Sequence, residues 1–265
     1  MPQSIRLAAA GDTALSAGDR LHVVAGSAPE YATCLRAAAR LPRFCVGTRL
    51  TPVEGGPTLL VVAVFSRPGR GDAPADPAFL AEALADGVLP GGDREYRADK
   101  EGLALAWITL SDKGSQGLRA DAAGPAIAEA CAAALPVALA LGHIIPDEPR
   151  ELTALLVDLA LTQGFDLVVT TGGTGLSPRD TTPEATLRVI EKRLPGFEAA
   201  MLAASLAKTK HAMLSRAVAG TLGQTIIVNV PGSPKAVRET LAAILPAIPH
   251  GLDKLRGDPA DCAQA

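Results

Sequence analysis

TTGGTGLSPRDTTPEA, residues 170–185, is the stretch on which the reading of this chain turns. The apolar run 165–169 leads into glycines at Gly172, Gly173 and Gly175. Arg179, Asp180 and a helix start at Thr181-Thr182-Pro183-Glu184 follow. Strand, flexible turn and capped helix in that order form the repeating unit of an α/β sheet protein. Glycines let backbone N–H groups approach a phosphate, and a helix N-terminus adds donors and a favourable dipole. The same letters have a plainer reading. Glycine pairs after a strand are ordinary turn punctuation, Thr182-Pro183 is a routine helix start, and Thr181 and Glu184 are spaced for a capping box.

Working outward, the pattern repeats. Leu103–Leu110, Val137–Ile145, residues 165–171 and Thr225–Val230 are near-continuous apolar runs of strand length. Between them lie helical stripes: Ile127, Ala130, Cys131 and Ala134; then Leu152, Leu155, Leu156 and Leu159; then Leu187, Ile190 and Leu194. Residues 196–207 continue helically, and Val237, Leu241, Ile244, Leu245 and Ile248 stripe a final helix. Apolar strands alternating with amphipathic helices predict a three-layer α/β/α fold with a mostly parallel sheet covered on both faces.

Upstream the signal is weaker. Residues 21–25 and 58–65 read as strands and 29–41 as a helix, so residues 1–66 form a small α+β or β-rich domain without a chemical motif. Residues 67–102, dense in Pro and Gly, read as a connector with one short helix at 78–85. The catalytic candidate is residues 103–258, and 259–265 form a tail.

Composition narrows the function. The 265 residues are 48% hydrophobic but 3% aromatic, so the core is built of Ala, Leu, Val and Ile. With 25 basic against 28 acidic residues, a net charge of −3 argues against a general nucleic-acid or anionic-membrane binder. The stretch 130–146 is broken by Pro136, Gly142 and His143 and is shorter than the ~20 residues a membrane span needs. The N-terminus lacks a signal peptide's apolar region. Cys34, Cys45, Cys131 and Cys262 make no CxxC pair and no zinc spacing, so free thiols in a reducing cytoplasm are expected.

Right-handed crossovers bring every strand-to-helix loop of a parallel sheet to one edge. Four such loops here carry chemistry: Ser111-Asp112-Lys113-Gly114, continuing to Asp121 and Gly124; Pro146-Asp147-Glu148; the glycine turn with Arg179-Asp180; and Pro231-Gly232-Ser233-Pro234-Lys235. Separate carboxylates beside a glycine cradle suit Mg²⁺ and phosphate oxygens. Each has a structural alternative. Asp147 has the position of a helix N-cap, Asp180 can pair with Arg179, Asp112 can close a turn, and Ser233-Pro234 is a good cap. The glycines do not have the GxGxxG spacing of a dinucleotide fold.

TTGGTG with RD and TPEAT, ITLSDKGSQG and IPDE upstream of it, and AMLSRAVAG, IIVNVPGSPKAV and IPHGLDKLRGD downstream, resemble the molybdopterin adenylyltransferase family (MogA/MoaB type) over about residues 103–258. The resemblance implies transfer of AMP from ATP to molybdopterin with Mg²⁺, releasing pyrophosphate. It implies catalytic roles for Asp147 and Asp180, which also become the Mg²⁺ ligands. It places Gly172, Gly173, Thr174 and Gly175 on phosphate, and Ser111, Asp112, Ser215, Arg216, Pro231, Gly232 and Ser233 around the substrates. It further implies a cytoplasmic homotrimer and a downstream metal-inserting enzyme as partner. Lys113, where the family commonly has Arg, and Lys210-His211, near a frequent proline, depart from the pattern. Two other functions stay open at this point: a molybdotransferase-type metal insertion and a non-catalytic molybdopterin carrier or scaffold.

Overall fold

The computed structural model describes residues 3–26, 31, 33–68 and 75–258. The chain forms two compact units, Met1–Glu101 and Gly102–Ala265.

The first unit is a closed β-barrel. Its wall follows the order β1 (Gln3–Ala9), β4 (Cys34–Ala37), β3 (Arg20–Ala25), β7 (Asp76–Ala83), β6 (Leu59–Arg67), β5 (Arg49–Pro52) and β9 (Gly92–Asp99), which returns to β1. Strands β2 (Thr13–Leu15) and β8 (Gly87–Leu89) form a separate pair. Alternate residues point inward, so Leu7, Leu21, Val23, Leu35, Val61, Phe79 and Tyr96 fill the interior.

Three expectations are corrected here. The helix expected at 29–41 contains strand β4 and no helix among its described residues, with residues 29, 30 and 32 outside them. The helix expected at 78–85 is strand β7, with Phe79, Ala81 and Ala83 inside the barrel. The connector expected at 67–102 supplies β7, β8 and β9. Both mistaken helices are rich in Ala and Leu, strong helix formers whose local preference yields to the apolar side chains a closing barrel must bury.

The second unit is built on a six-stranded sheet of order β11 (Val137–Ile145), β10 (Leu103–Leu110), β12 (Leu167–Thr171), β15 (Thr225–Val230), β14 (Ala219–Leu222) and β13 (Lys192–Arg193). The first four strands are parallel; β14 runs antiparallel to β15, and β13 to β14. Leu105, Val169 and Val228 present one face to α2 (Ala123–Ala134), α6 (Pro234–Ala242) and α7 (Ile248–Leu255) through Ile127, Cys131, Val237, Leu241, Ile248 and Leu252. On the opposite face Thr170 and Asn229 meet α4 (Thr182–Leu187), which packs against α3 (Pro149–Val157). The alternation of successive residues thus accounts for helices on both sides.

The stripe Leu187, Ile190, Leu194 is not helical throughout. Helix α4 ends at Leu187, which is exposed, and the chain turns away to form edge strand β13 before α5 (Pro195–Leu206). The expected final helix is divided: Pro246 and Pro249 each lack an N–H, and a 3₁₀ turn at Leu245–Ala247 separates α6 from α7. No helix of the described residues is long and apolar enough to cross a membrane. The expected tail 259–265 lies outside the described residues.

Candidate active site

The four loops named in the sequence do meet at the carboxyl edge of β10, β11, β12 and β15. After β10, Ser111 caps the short helix α1 (Asp112–Ser115), its hydroxyl accepting from Gly114 N at 3.0 Å. After β11, Asp147 and Asp112 exchange bonds: Asp112 N donates to Asp147 Oδ2 at 3.2 Å, and Asp147 N donates to Asp112 Oδ1 at 3.1 Å. The N-cap position of α3 belongs to Glu148, which makes no side-chain cap bond, so Asp147 is not a helix cap.

Arg179 joins three loops. Its guanidinium donates to both carboxylate oxygens of Asp112, the shortest bond being 2.8 Å, and to Glu148 Oε1 at 2.7 Å. It therefore pairs across the site and leaves Asp180 alone. Asp180 instead closes its own turn, Oδ2 accepting from Ser177 N at 2.8 Å. The electrostatics follow from these contacts. Arg179, and then the Asp147 N–H, hold the Asp112 carboxyl below the usual carboxylate range. Burial pushes Asp147 up, and the charges of Asp112 and Asp180 act in the same direction.

The glycine turn lies between the two acids. Gly172 and Gly173 have φ of +99° and +62°, conformations that side chains resist. A methyl on Gly172 would stand 2.6 Å from Leu110 O, and one on Gly173 would collide with the Thr182 hydroxyl while lying 3.5 Å from Asp147 Oδ1. A methyl on Gly175 would sit 2.9 Å from Asp180 Oδ2, so both carboxylates flank one turn. The last loop closes against it: Thr171 Oγ1 donates to Pro231 O at 2.8 Å, Gly172 N to Val230 O at 3.4 Å, and Gly232 faces the Gly172 Cα. Ser233 caps α6, accepting from Ala236 N at 3.2 Å.

Two cavities divide the remaining candidates. One of about 300 Å³ is lined by Ser111, Gly172 and Gly232 together with Thr109, Arg119 and Asp121. Ser215, Arg216 and Pro231 line another of about 570 Å³ beside α5. Arg216 does not present its charge to open space. Its Nε donates to Gly175 O at 2.8 Å, another nitrogen to Asp180 O at 2.5 Å, and it pairs with Glu184. Glu184 is thus committed to Arg216, and no side chain caps α4 at Thr181.

The family pattern described as "Probable molybdopterin binding domain" matches residues 106–250, more than half of the chain. This chain belongs to that family. Among curated relatives, the chain is 41% identical over 152 residues to the molybdopterin adenylyltransferase of Helicobacter pylori strain J99, covering 57% of this chain and 86% of the relative. It is 37% identical over 179 residues to gephyrin of Dictyostelium discoideum; these are 63% of this chain but only 24% of that much longer protein. The molybdopterin biosynthesis enzyme MoaB of Thermus thermophilus is 44% identical and superposes with a TM-score of 0.55, covering 60% of this chain and 99% of its own.

Within this molybdopterin-binding domain several residues named in the sequence build the rim through contacts that the sequence did not foretell. Asp121, one residue before the N-cap position of α2, accepts from Ala123 N and Gly124 N through Oδ1 and from Thr109 Oγ1 at 2.8 Å through Oδ2. An Asp before a helical stripe is a legible cap signal. Thr182 holds the glycine turn, its Oγ1 donating to Gly172 O at 3.0 Å and its N to Gly173 O at 3.2 Å. The Arg179 bonds to Asp112 and Glu148 and the Arg216 bond to Glu184 span 31 to 67 residues, a range at which no local pattern speaks.

Proposed function

We propose that this chain transfers AMP from ATP to molybdopterin, giving adenylylated molybdopterin and pyrophosphate. The observation that carries this reading is the pair of carboxylates, Asp147 and Asp180, on either side of one glycine turn. The names of the similar proteins, molybdopterin adenylyltransferase and molybdopterin biosynthesis enzyme MoaB, support it.

The terminal phosphate of molybdopterin attacks the α-phosphorus of ATP. A new P–O bond forms as the bond to the β-phosphate oxygen breaks, and pyrophosphate leaves with that electron pair. A phosphate monoester is already anionic near neutral pH, so no strong base is required. Positioning and charge neutralisation supply the rate enhancement. In this reading the turn at Gly172, Gly173, Thr174 and Gly175 receives phosphate oxygens, and the Ser111, Gly172 and Gly232 cavity takes part of a substrate. Asp112 acts through its bonds to Asp147 and Arg179. Ser215 and Pro231 border the neighbouring cavity, and Ser233 orders the last loop.

The donor set suits Mg²⁺. Asp147 and Asp180 offer hard carboxylate oxygens, and Mg²⁺ is commonly held by one or two carboxylates with water and substrate phosphate completing the shell. Among the described residues no group of three or more His, Cys, Asp or Glu could hold a metal by itself. When bound, Mg²⁺ would supply charge neutralisation at the phosphates. A homotrimer acting in the cytoplasm, ahead of a metal-inserting enzyme, completes the reading.

The test is incubation of the purified chain with molybdopterin, ATP and Mg²⁺. Stoichiometric pyrophosphate and adenylylated pterin are expected. Hydrolysis of supplied adenylylated pterin with molybdate, without pyrophosphate from ATP, would assign the molybdotransferase role. Binding of molybdopterin without turnover would assign a carrier.

A further inference from the structure

The carbonyls of the glycine turn all have protein partners. Thr182 takes two of them, Gly172 O through its hydroxyl and Gly173 O through its N–H. Arg216 takes the next two, its N donating to Thr174 O at 3.0 Å and its Nε to Gly175 O at 2.8 Å. In a trans peptide the carbonyl of one residue and the N–H of the next point in opposite directions, and no peptide bond among the described residues is cis. Fixing these four carbonyls therefore turns the N–H groups of Gly173, Thr174, Gly175 and Leu176 away from those partners. Among the described residues, none of those four N–H groups has a protein acceptor.

We propose that Thr182 and Arg216 are positioning residues, a two-point clamp on the carbonyl side of the turn that holds four successive N–H groups, Gly173 to Leu176, ready for a phosphate. The inference rests on the reading of this turn as the phosphate site. Successive N–H groups in such a turn form an anion-binding concavity, and its rigidity here has a visible source. Thr186 Oγ1 donates to Thr182 O at 2.9 Å, and Asn229 Nδ2 donates to Thr186 Oγ1 at 2.9 Å and to Thr170 Oγ1 at 2.8 Å. Thr170, Thr182, Thr186 and Asn229 are all fully buried, so this half of the clamp is anchored in the sheet. Asn229 Oδ1 has no partner among the described residues. The other half is braced by the pairing of Arg216 with Glu184 of α4.

The experiment compares the full chain with Thr182→Val, Thr182→Ser, Arg216→Met and Arg216→Lys. Affinity for inorganic pyrophosphate and ATP is measured by calorimetry, and KM for molybdopterin by turnover. Thr182→Val keeps the shape and removes the hydroxyl, so phosphate affinity falls about tenfold, the worth of one well-placed hydrogen bond. Thr182→Ser, which restores the hydroxyl, recovers the parent value. Arg216→Lys behaves like Arg216→Met, because one ammonium does not reproduce the planar fork that reaches Gly175 O and Asp180 O. A loss on pyrophosphate and ATP assigns the turn to the nucleotide tail; a loss confined to KM for molybdopterin assigns it to the pterin phosphate. Either supports the clamp. Unchanged constants in all four variants, or Thr182→Ser as weak as Thr182→Val, overturn it. A parent that binds ATP but releases no pyrophosphate would sink the transferase reading while the affinity comparison still decides the clamp; a parent that binds neither phosphate ligand overturns both.

Discussion

The two units of this chain use polar residues in opposite ways. In the barrel, Leu7, Val23, Val61 and Phe79 fill the interior, and charges such as Arg6–Asp93, Arg20–Glu82 and Arg94–Glu54 form separate exposed pairs. Pairs of that kind contribute little, typically ~0–1 kcal/mol. In the α/β unit, Asp112, Asp147, Glu148 and Arg179 bind one another from three different loops, and Thr170, Thr182, Thr186 and Asn229 are bonded inside the fold. The difference is topological. A parallel sheet returns each strand through a crossover, so its carboxyl-edge loops accumulate in one place. A closed barrel of largely antiparallel strands distributes its loops between two ends and seals its interior with side chains.

Substitutions can break this contrast, and the largest effect is expected at the acids. Asp147→Asn or Asp180→Asn should lower pyrophosphate release by about 10²–10³-fold, the scale of removing one electrostatic stabiliser. Asp93→Asn in the barrel should leave it unchanged; equal losses in both units would end the comparison. A chain starting at Gly102 contains all four loops and should turn over at a rate comparable with the full chain, measured in the same assay.

Next come the glycines. Gly173→Ala meets both a positive φ and the Thr182 hydroxyl, and activity should fall by about 10²-fold, as for small misplacements near the chemistry. Gly18 in the barrel also has a positive φ, +91°, but nothing within 4 Å of an added methyl. Gly18→Ala should cost about 1–2 kcal/mol in denaturant unfolding, the backbone penalty alone, with turnover intact.

The pH dependence sharpens the contrast further. Burial holds Asp147 above the ordinary carboxylate range, while Arg179 draws it back down. The role proposed for Asp147 requires its ionised form, so turnover should decline on the acid side at a pH above the ordinary carboxylate value of about 4. Arg179→Gln removes the positive charge, and the acid limb of kcat should move to higher pH; a shift to lower pH would contradict the assigned electrostatics. The smallest effect lies in the barrel. The Tyr96 hydroxyl is buried without a partner among the described residues, so Tyr96→Phe should be neutral or raise stability by about 1 kcal/mol in thermal unfolding.

Legibility differed between the units for a physical reason. In the α/β unit, runs such as LALAWITL and TIIVNV are buried on both faces, so apolar continuity alone marks them as strands. Strands β13 and β14 escaped because two and four residues carry too little pattern, and β14 is set by its pairing with β15 across the turn at Gly223. In the barrel, CLRA and DPAFLAEA have strand alternation written over helix-favouring residues, and local preference gave the wrong answer. At the site, Asp147, Asp180 and the glycines could be named from motifs. The commitment of Arg216 to carbonyls and of Arg179 to Asp112 and Glu148 could not, since those contacts join residues far apart in sequence.

What the amino-acid order determined by itself is local: which segments are apolar enough to be central strands, where glycine permits a turn that side chains forbid, and which acids stand in the strand-to-helix loops. Those properties depend on neighbours within a few positions, where sterics and burial act directly. Only the tertiary structure decided which way the turn's N–H groups face, which carboxylate is neutralised by Arg179, and that the Ala- and Leu-rich segments of the first unit close into a barrel. Each of these is a choice among partners distant in sequence, settled by which contacts the packed chain can satisfy at once.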